Sequence, residues 1–159
     1  MIFERLTTAR LTLQPVGDEA ARRILAGDLT GARPAPGWPH DDTADGLRLA
    51  VEQGQPAGWL VVHDGQTVGD CGTHGPVDAE GRVEIGYGLA APSRNQGLGT
   101  ELVRAITGWL LTQPGVNAVR AHTLPDNRAS RRVLERAGFS ARGFDGGELL
   151  YECDRAGGP

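Results

Sequence analysis

Arg94-Asn95-Gln96-Gly97-Leu98-Gly99-Thr100 places two glycines, a cation and several small or polar residues where a strand pattern gives way to a helix pattern. The chemistry this suits is the holding of a phosphate. A turn that opens a helix presents several backbone N–H groups together, and the helix dipole adds partial positive charge there. Gly97 and Gly99 remove side chains from the path of a phosphate approaching the backbone. The same glycines also suit a plain tight connection, and a lone G-x-G does not decide between the two. Cys71 and Cys153 lie far apart and match no metal or redox spacing, so both are expected as reduced thiols and no metal site is expected.

The elements that must position these residues follow from periodicity. Thr8 to Gln14 alternates and reads as a strand ended by Pro15. Asp18 to Leu29 repeats apolar residues at helical spacing, with Asp18 as its expected cap. Thr30 to His40 holds three prolines and reads as a loop. Asp41 and Asp42 are expected to start a second helix closed by Gly54, with Asp41, Asp42 and Asp45 as capping residues or as groups suited to a cationic acceptor. Gly58–His63, Thr67–Thr73 and Val83–Leu89 form a meander whose first turn is the hairpin signal Asp64-Gly65. Glu101–Leu111 reads as a helix, Ala118–Leu124 as a strand, and Asn127–Ala137 as a helix with Asn127 at its cap. Phe139–Phe144 and Glu148–Cys153 are the last strands, joined at Gly146-Gly147. A meander followed by two strand–helix units predicts a mixed sheet with helices on both faces, the strand after the glycine turn being parallel to Val83–Leu89.

Length and composition bound the rest. A chain of 159 residues is expected to be a single domain, 1–155, with 156–159 as a flexible tail. The formal net charge of −4 argues against broad attraction to nucleic acid or to an anionic membrane. There is no charged-then-apolar leader and no apolar run of membrane length, so a cytoplasmic location is expected. All 16 basic residues are arginine, which removes lysine as a target of self-modification.

From Glu84 to Phe139 the residues resemble the Gcn5-related N-acetyltransferases (GNAT). Arg94-x-x-Gly97-x-Gly99 is similar to that family's acetyl-CoA motif, with Asn95 where glycine is usual. Asn127 to Phe139 resembles the N-x-x-S-x-x-V-L-E-x-x-G-F signature of the RimJ/RimL-like, ribosomal-protein-alanine acetyltransferase branch, and Leu11-Thr12-Leu13-Gln14-Pro15 resembles that branch's opening strand. Two motifs in order, each on the expected element, make a specific match.

The resemblance implies an α/β (α+β) GNAT fold: a mixed, mostly antiparallel sheet of six to seven strands, with a V-shaped splay between the parallel strands Val83–Leu89 and Ala118–Leu124. It implies acetyl-CoA as cosubstrate, its pantetheine arm on the backbone of Tyr87, Gly88 and Leu89, and its pyrophosphate beside Arg94 on N–H groups of Asn95, Gln96, Gly97, Leu98, Gly99 and Thr100. Asn127 would touch the arm, and Arg131 or Arg132 the 3′-phosphate. Glu84 is the implied general base, with His122, His74 and His40 as rivals. Ser130 is a candidate to meet the departing sulfur, because the tyrosine acid of many relatives is absent near Leu134. The implied acceptor is a primary amine, on a protein N-terminus or a small molecule, in a possible homodimer. A non-catalytic CoA-binding module is the alternative, since fold does not fix function.

The base required depends on the acceptor. At neutral pH roughly a tenth of α-amines are uncharged, against well under a thousandth of lysine ε-amines. A site without a strong base therefore suits an α-amine or a similarly weak one.

Overall fold

The computed structural model describes residues 1–54 and 58–156. Among the described residues there are eight strands and four α-helices, one strand more than the sequence predicts, because Leu6–Thr7 pairs as a short first strand, β1. The others in chain order are β2 Thr12–Pro15, α1 Asp18–Leu25, α2 Thr43–Glu52, β3 Trp59–His63, β4 Gln66–Thr73, β5 Arg82–Leu89, α3 Leu98–Thr112, β6 Ala118–Thr123, α4 Arg128–Arg136, β7 Ser140–Asp145 and β8 Glu148–Asp154. The chain forms two compact units, Met1–Gly75 with Gly86–Gly99, and Pro76–Ile85 with Thr100–Pro159.

In the first unit the strands run in the spatial order β1, β2, β3, β4 and the C-terminal half of β5, and β1 to β4 are antiparallel. The β3–β4 turn is the Asp64-Gly65 hairpin, with φ of 49° and 75°, the two positive values of a turn whose twist matches the strands. Val16, Ala21, Trp38, Leu47, Ala50, Leu60 and Ala90 form the buried cluster, so both helices supply apolar residues to it. Helix α1 ends at Leu25 rather than Leu29, because Gly27 turns the chain at φ 84°. Its cap is Gly17, not Asp18; Asp18 and Glu19 lie in the first turn, where their charges suit the dipole. No side chain caps α2, so the expected capping by Asp41 or Asp42 is not realised, and Asp45 pairs with Arg48 at 3.2 Å.

In the second unit β5 and β6 are parallel through Arg82↔Ala118, Val83↔Val119 and Glu84↔Arg120. β6 pairs antiparallel with β8, and β8 with the exposed strand β7. Helix α3 buries Leu102, Val103, Ile106 and Leu110, the stripe its helical spacing predicts. Tyr151 on β8 is buried, and its hydroxyl donates to Glu135 Oε1 at 3.0 Å. Both cysteines are free and buried, and burial pushes the Cys71 thiol well up. Ala156 N–H donates to Asp154 Oδ1; the rest of the expected tail lies outside the described residues. No helix among the described residues is long and apolar enough to cross a membrane.

Candidate active site

In the first unit, β5 leads through a single tight turn at Ala91–Ser93 into the glycine-rich segment. Asn95 adopts φ 61° and Gly97 φ 79°. Asparagine tolerates the left-handed region better than most residues, which explains how it stands where glycine is usual. Leu98 is buried and anchors the start of α3, while Asn95, Gln96 and Gly97 are exposed. A Cβ on Gly97 would meet a single atom within 4 Å, Nη2 of Arg10 at 3.2 Å, so the space over that glycine is otherwise open. The first N–H groups of a helix have no intrahelical partner, and α3 is 15 residues long. An open cradle, exposed turn amides and a helix N-terminus are a donor set that fits a diphosphate.

Two arginines lie near this turn, and one of them bonds to it. Arg94 is tethered backwards, its Nε donating to Leu89 O at 2.9 Å. Arg10 comes from the β1–β2 connection and donates from Nη1 to Gln96 O at 2.8 Å, across 86 positions of sequence. Sequence reasoning missed Arg10; its sole local signal is its place just before β2.

The face of β5 carrying Gly86 and Gly88 is occupied by histidines. A Cβ on Gly88 would fall inside 3.0 Å of His40 Cε1 and Nε2, and one on Gly86 inside 3.0 Å of the same atoms of His74. The two glycines therefore make room for rings. His40 Nε2 lies 3.3 Å from Asp70 Oδ2, an oxygen that also accepts from Trp38 Nε1 at 2.8 Å and Thr43 Oγ1 at 2.6 Å. Asp42 N–H donates to His40 Nδ1 at 3.3 Å, which places the neutral ring's proton on Nε2, toward Asp70. Burial disfavours the imidazolium, but the hydrogen bond and charge of Asp70, with Asp42, outweigh it and Arg94, and the His40 pKa is raised. His40 Nδ1 is thus taken by the Asp42 N–H, while Nε2 is buried at 3.3 Å from Asp70 without hydrogen-bond geometry, which suits positioning rather than proton abstraction.

In the second unit the structure brings Glu84 and His122 together. His122 Nδ1 lies 2.9 Å from Glu84 Oε1, and Nε2 lies 3.2 Å from Asp145 Oδ2. Desolvation opposes the charged ring, yet the two carboxylates prevail and the His122 pKa is raised. Asp145, at the tip of β7 beside the Gly146-Gly147 turn, was not predicted; its pairing depends on the β7–β8 register. On α4, Asn127 is the cap, its Oδ1 accepting from Ser130 N–H at 3.1 Å. Ser130 is half-buried, and Arg132 and the Asn127 side chain are exposed. Arg131 turns instead to Tyr151 Oη and Pro125 O.

Residues 10–140 match the family model described as "Acetyltransferase (GNAT) domain". The chain belongs to the GNAT acetyltransferases, and its strands and helices are those of the GNAT fold. It is 27% identical over 153 residues to the "Uncharacterized N-acetyltransferase YjdG" of Bacillus subtilis strain 168, covering 84% of this chain and 88% of that protein. It shares its fold with the aminoglycoside acetyltransferase AAC(6')-Ib in complex with coenzyme A, at a TM-score of 0.66 and 22% identity, over 92% of this chain and 96% of the other. RimL, a ribosomal L7/L12 alpha-N-protein acetyltransferase in complex with coenzyme A, matches at a TM-score of 0.68 and 16% identity, over 95% of this chain and 98% of the other.

Proposed function

We propose that residues 1–155 act as one GNAT domain of the RimJ/RimL-like kind that moves an acetyl group from acetyl-CoA to a primary amine. The observation that carries this reading is the exposed turn Asn95–Gly97, left-handed at both ends and opening a 15-residue helix, within a family match over residues 10–140. Its amides, with Arg94, hold the diphosphate of the cosubstrate, and the backbone of Tyr87, Gly88 and Leu89 pairs with the pantetheine arm. Acetyl-CoA supplies an acyl carbon whose thiolate leaves without obligatory protonation, its thiol pKa being about 8.5.

The uncharged amine nitrogen forms the new C–N bond as the C–S bond breaks. Holding the two reactants in place supplies on the order of 7 kcal/mol or more of the barrier reduction, and a backbone N–H near Leu89 polarises the thioester oxygen. The Glu84–His122 pair takes the proton the amine loses, and the Ser130 hydroxyl meets the sulfur. Asn127 and Arg132 serve the pantetheine arm and the 3′-phosphate. The acceptor is a protein N-terminal α-amine or a small amine such as an aminoglycoside, in keeping with the alpha-N-protein acetyltransferase RimL and the aminoglycoside acetyltransferase AAC(6')-Ib. The α-amine is favoured, because a more basic amine is almost wholly charged at neutral pH.

Mixing acetyl-CoA with a panel of peptides and small amines and scoring free CoA thiol tests the reading. Release that depends on the amine is expected. Tight CoA binding with no release on any amine would instead indicate a CoA-binding module without catalysis.

A further inference from the structure

The geometry points to Arg10 as a cofactor-binding residue: a guanidinium carried from the β1–β2 connection to the diphosphate-holding turn, which adds positive charge there to that of Arg94. The inference rests on the function proposed above.

Arg10 is fixed from both ends. Thr8 N–H donates to Leu11 O at 2.9 Å, and Leu11 N–H donates to Thr8 Oγ1 at 3.0 Å, closing the connection into a tight turn. The Arg10 carbonyl is met by His63 Nδ1 at 3.1 Å, at the end of β3. From this base the side chain reaches Gln96 O, and the bond at 2.8 Å sets the guanidinium plane beside the turn. Nη2 then lies 3.2 Å from the place a Cβ on Gly97 would take, beside space that holds no other atom within 4 Å of that point. Arg94 has the motif position but donates its Nε to Leu89 O. A planar guanidinium already ordered by one hydrogen bond loses little more freedom in making another, and phosphate is its preferred partner. The carbonyl of Gln96 explains how Arg10 is held; it does not explain why the cation is brought to the one open glycine of the turn.

Isothermal titration calorimetry of the full chain with CoA and with 3′-dephospho-CoA, at several salt concentrations, tests this. Arg10→Gln is expected to weaken both ligands by about tenfold and to lower the salt dependence of binding, because a screened charge pair is gone. Arg10→Lys should recover part of the loss, and thermal melts of both variants confirm that they fold. Unchanged CoA affinity in Arg10→Gln overturns the assignment. So does a loss with unaltered salt dependence, which marks a purely structural tie to Gln96. A loss seen with CoA but not with 3′-dephospho-CoA moves Arg10 to the 3′-phosphate and also overturns it. Wild-type protein that binds neither ligand overturns the proposed function, and the inference falls with it.

Discussion

The imidazole of His40 fills the volume that a side chain at Gly88 would occupy. A methyl group at position 88 must displace either the ring or the strand, and the ring is bonded to the Asp42 amide and lies against Asp70. Gly88→Ala is therefore expected to destabilise the fold by about 1–3 kcal/mol, the usual cost of overpacking. His40→Ala in the same chain should restore part of that loss, and a double-mutant cycle from urea unfolding measures the coupling.

Asp70 gathers the donors around His40 onto a single oxygen. Replacing it with alanine leaves the buried Trp38 indole N–H without its acceptor, at about 1–3 kcal/mol for an unsatisfied buried donor. Asp70→Asn keeps an oxygen in place and should cost less. Chemical denaturation of both variants checks the ordering; equal losses would show that the hydrogen bonds are not the source.

His122 gives a pH signature. Its pKa in the folded chain is raised above the ordinary value of 6.5 by Glu84 and Asp145, against desolvation. The stability it contributes is thus fully present below about pH 6.5 and is lost as pH rises through the folded pKa. The stability gap between wild type and His122→Gln should be larger at about pH 6 than at about pH 9. In the proposed mechanism the same titration frees the Glu84–His122 pair to accept a proton, so kcat/KM should climb over that interval. A gap that widens with pH would contradict the assignment.

Asn127 and Ser130 separate structure from chemistry on one helix. Asn127→Ala removes the cap of α4 and should cost about 1 kcal/mol. Ser130→Ala leaves the bond from Ser130 N–H to Asn127 Oδ1 intact, so it should cost less stability than Asn127→Ala. A fall in kcat for Ser130→Ala larger than that for Asn127→Ala, despite the smaller stability loss, would then report the hydroxyl at the sulfur.

What could be read from the sequence was local. The Asp64-Gly65 hairpin, the Asn127 cap and the glycine turn before α3 each follow from a few adjacent residues whose backbone preferences decide the outcome. The pairing of Glu84 with His122 was half legible: both were candidates, but nothing in their spacing of 38 positions set them at hydrogen-bond distance. What was missed depends on distant chain segments meeting. Asp145 needs the β7–β8 register, Arg10 needs the β1–β2 connection to reach the turn, and the Trp38–His40–Asp70 group needs a proline-rich loop to fold over β4. The first helix stops at Leu25 because Gly27 breaks it early, and at the start of the second Asp42 holds the cap position through its backbone while the side-chain hydrogen bonds come from Thr43.

The account turns on whether the Asn95–Gly97 turn holds a CoA diphosphate, and calorimetric titration of CoA into wild type and Gly97→Glu measures that directly. A carboxylate at position 97 puts a side chain and a negative charge into the cradle, at a backbone angle of φ 79° that favours glycine. Wild type should bind CoA, and Gly97→Glu, still folded by its melting curve, should bind it at least about tenfold more weakly. Equal binding by the two proteins would contradict the account.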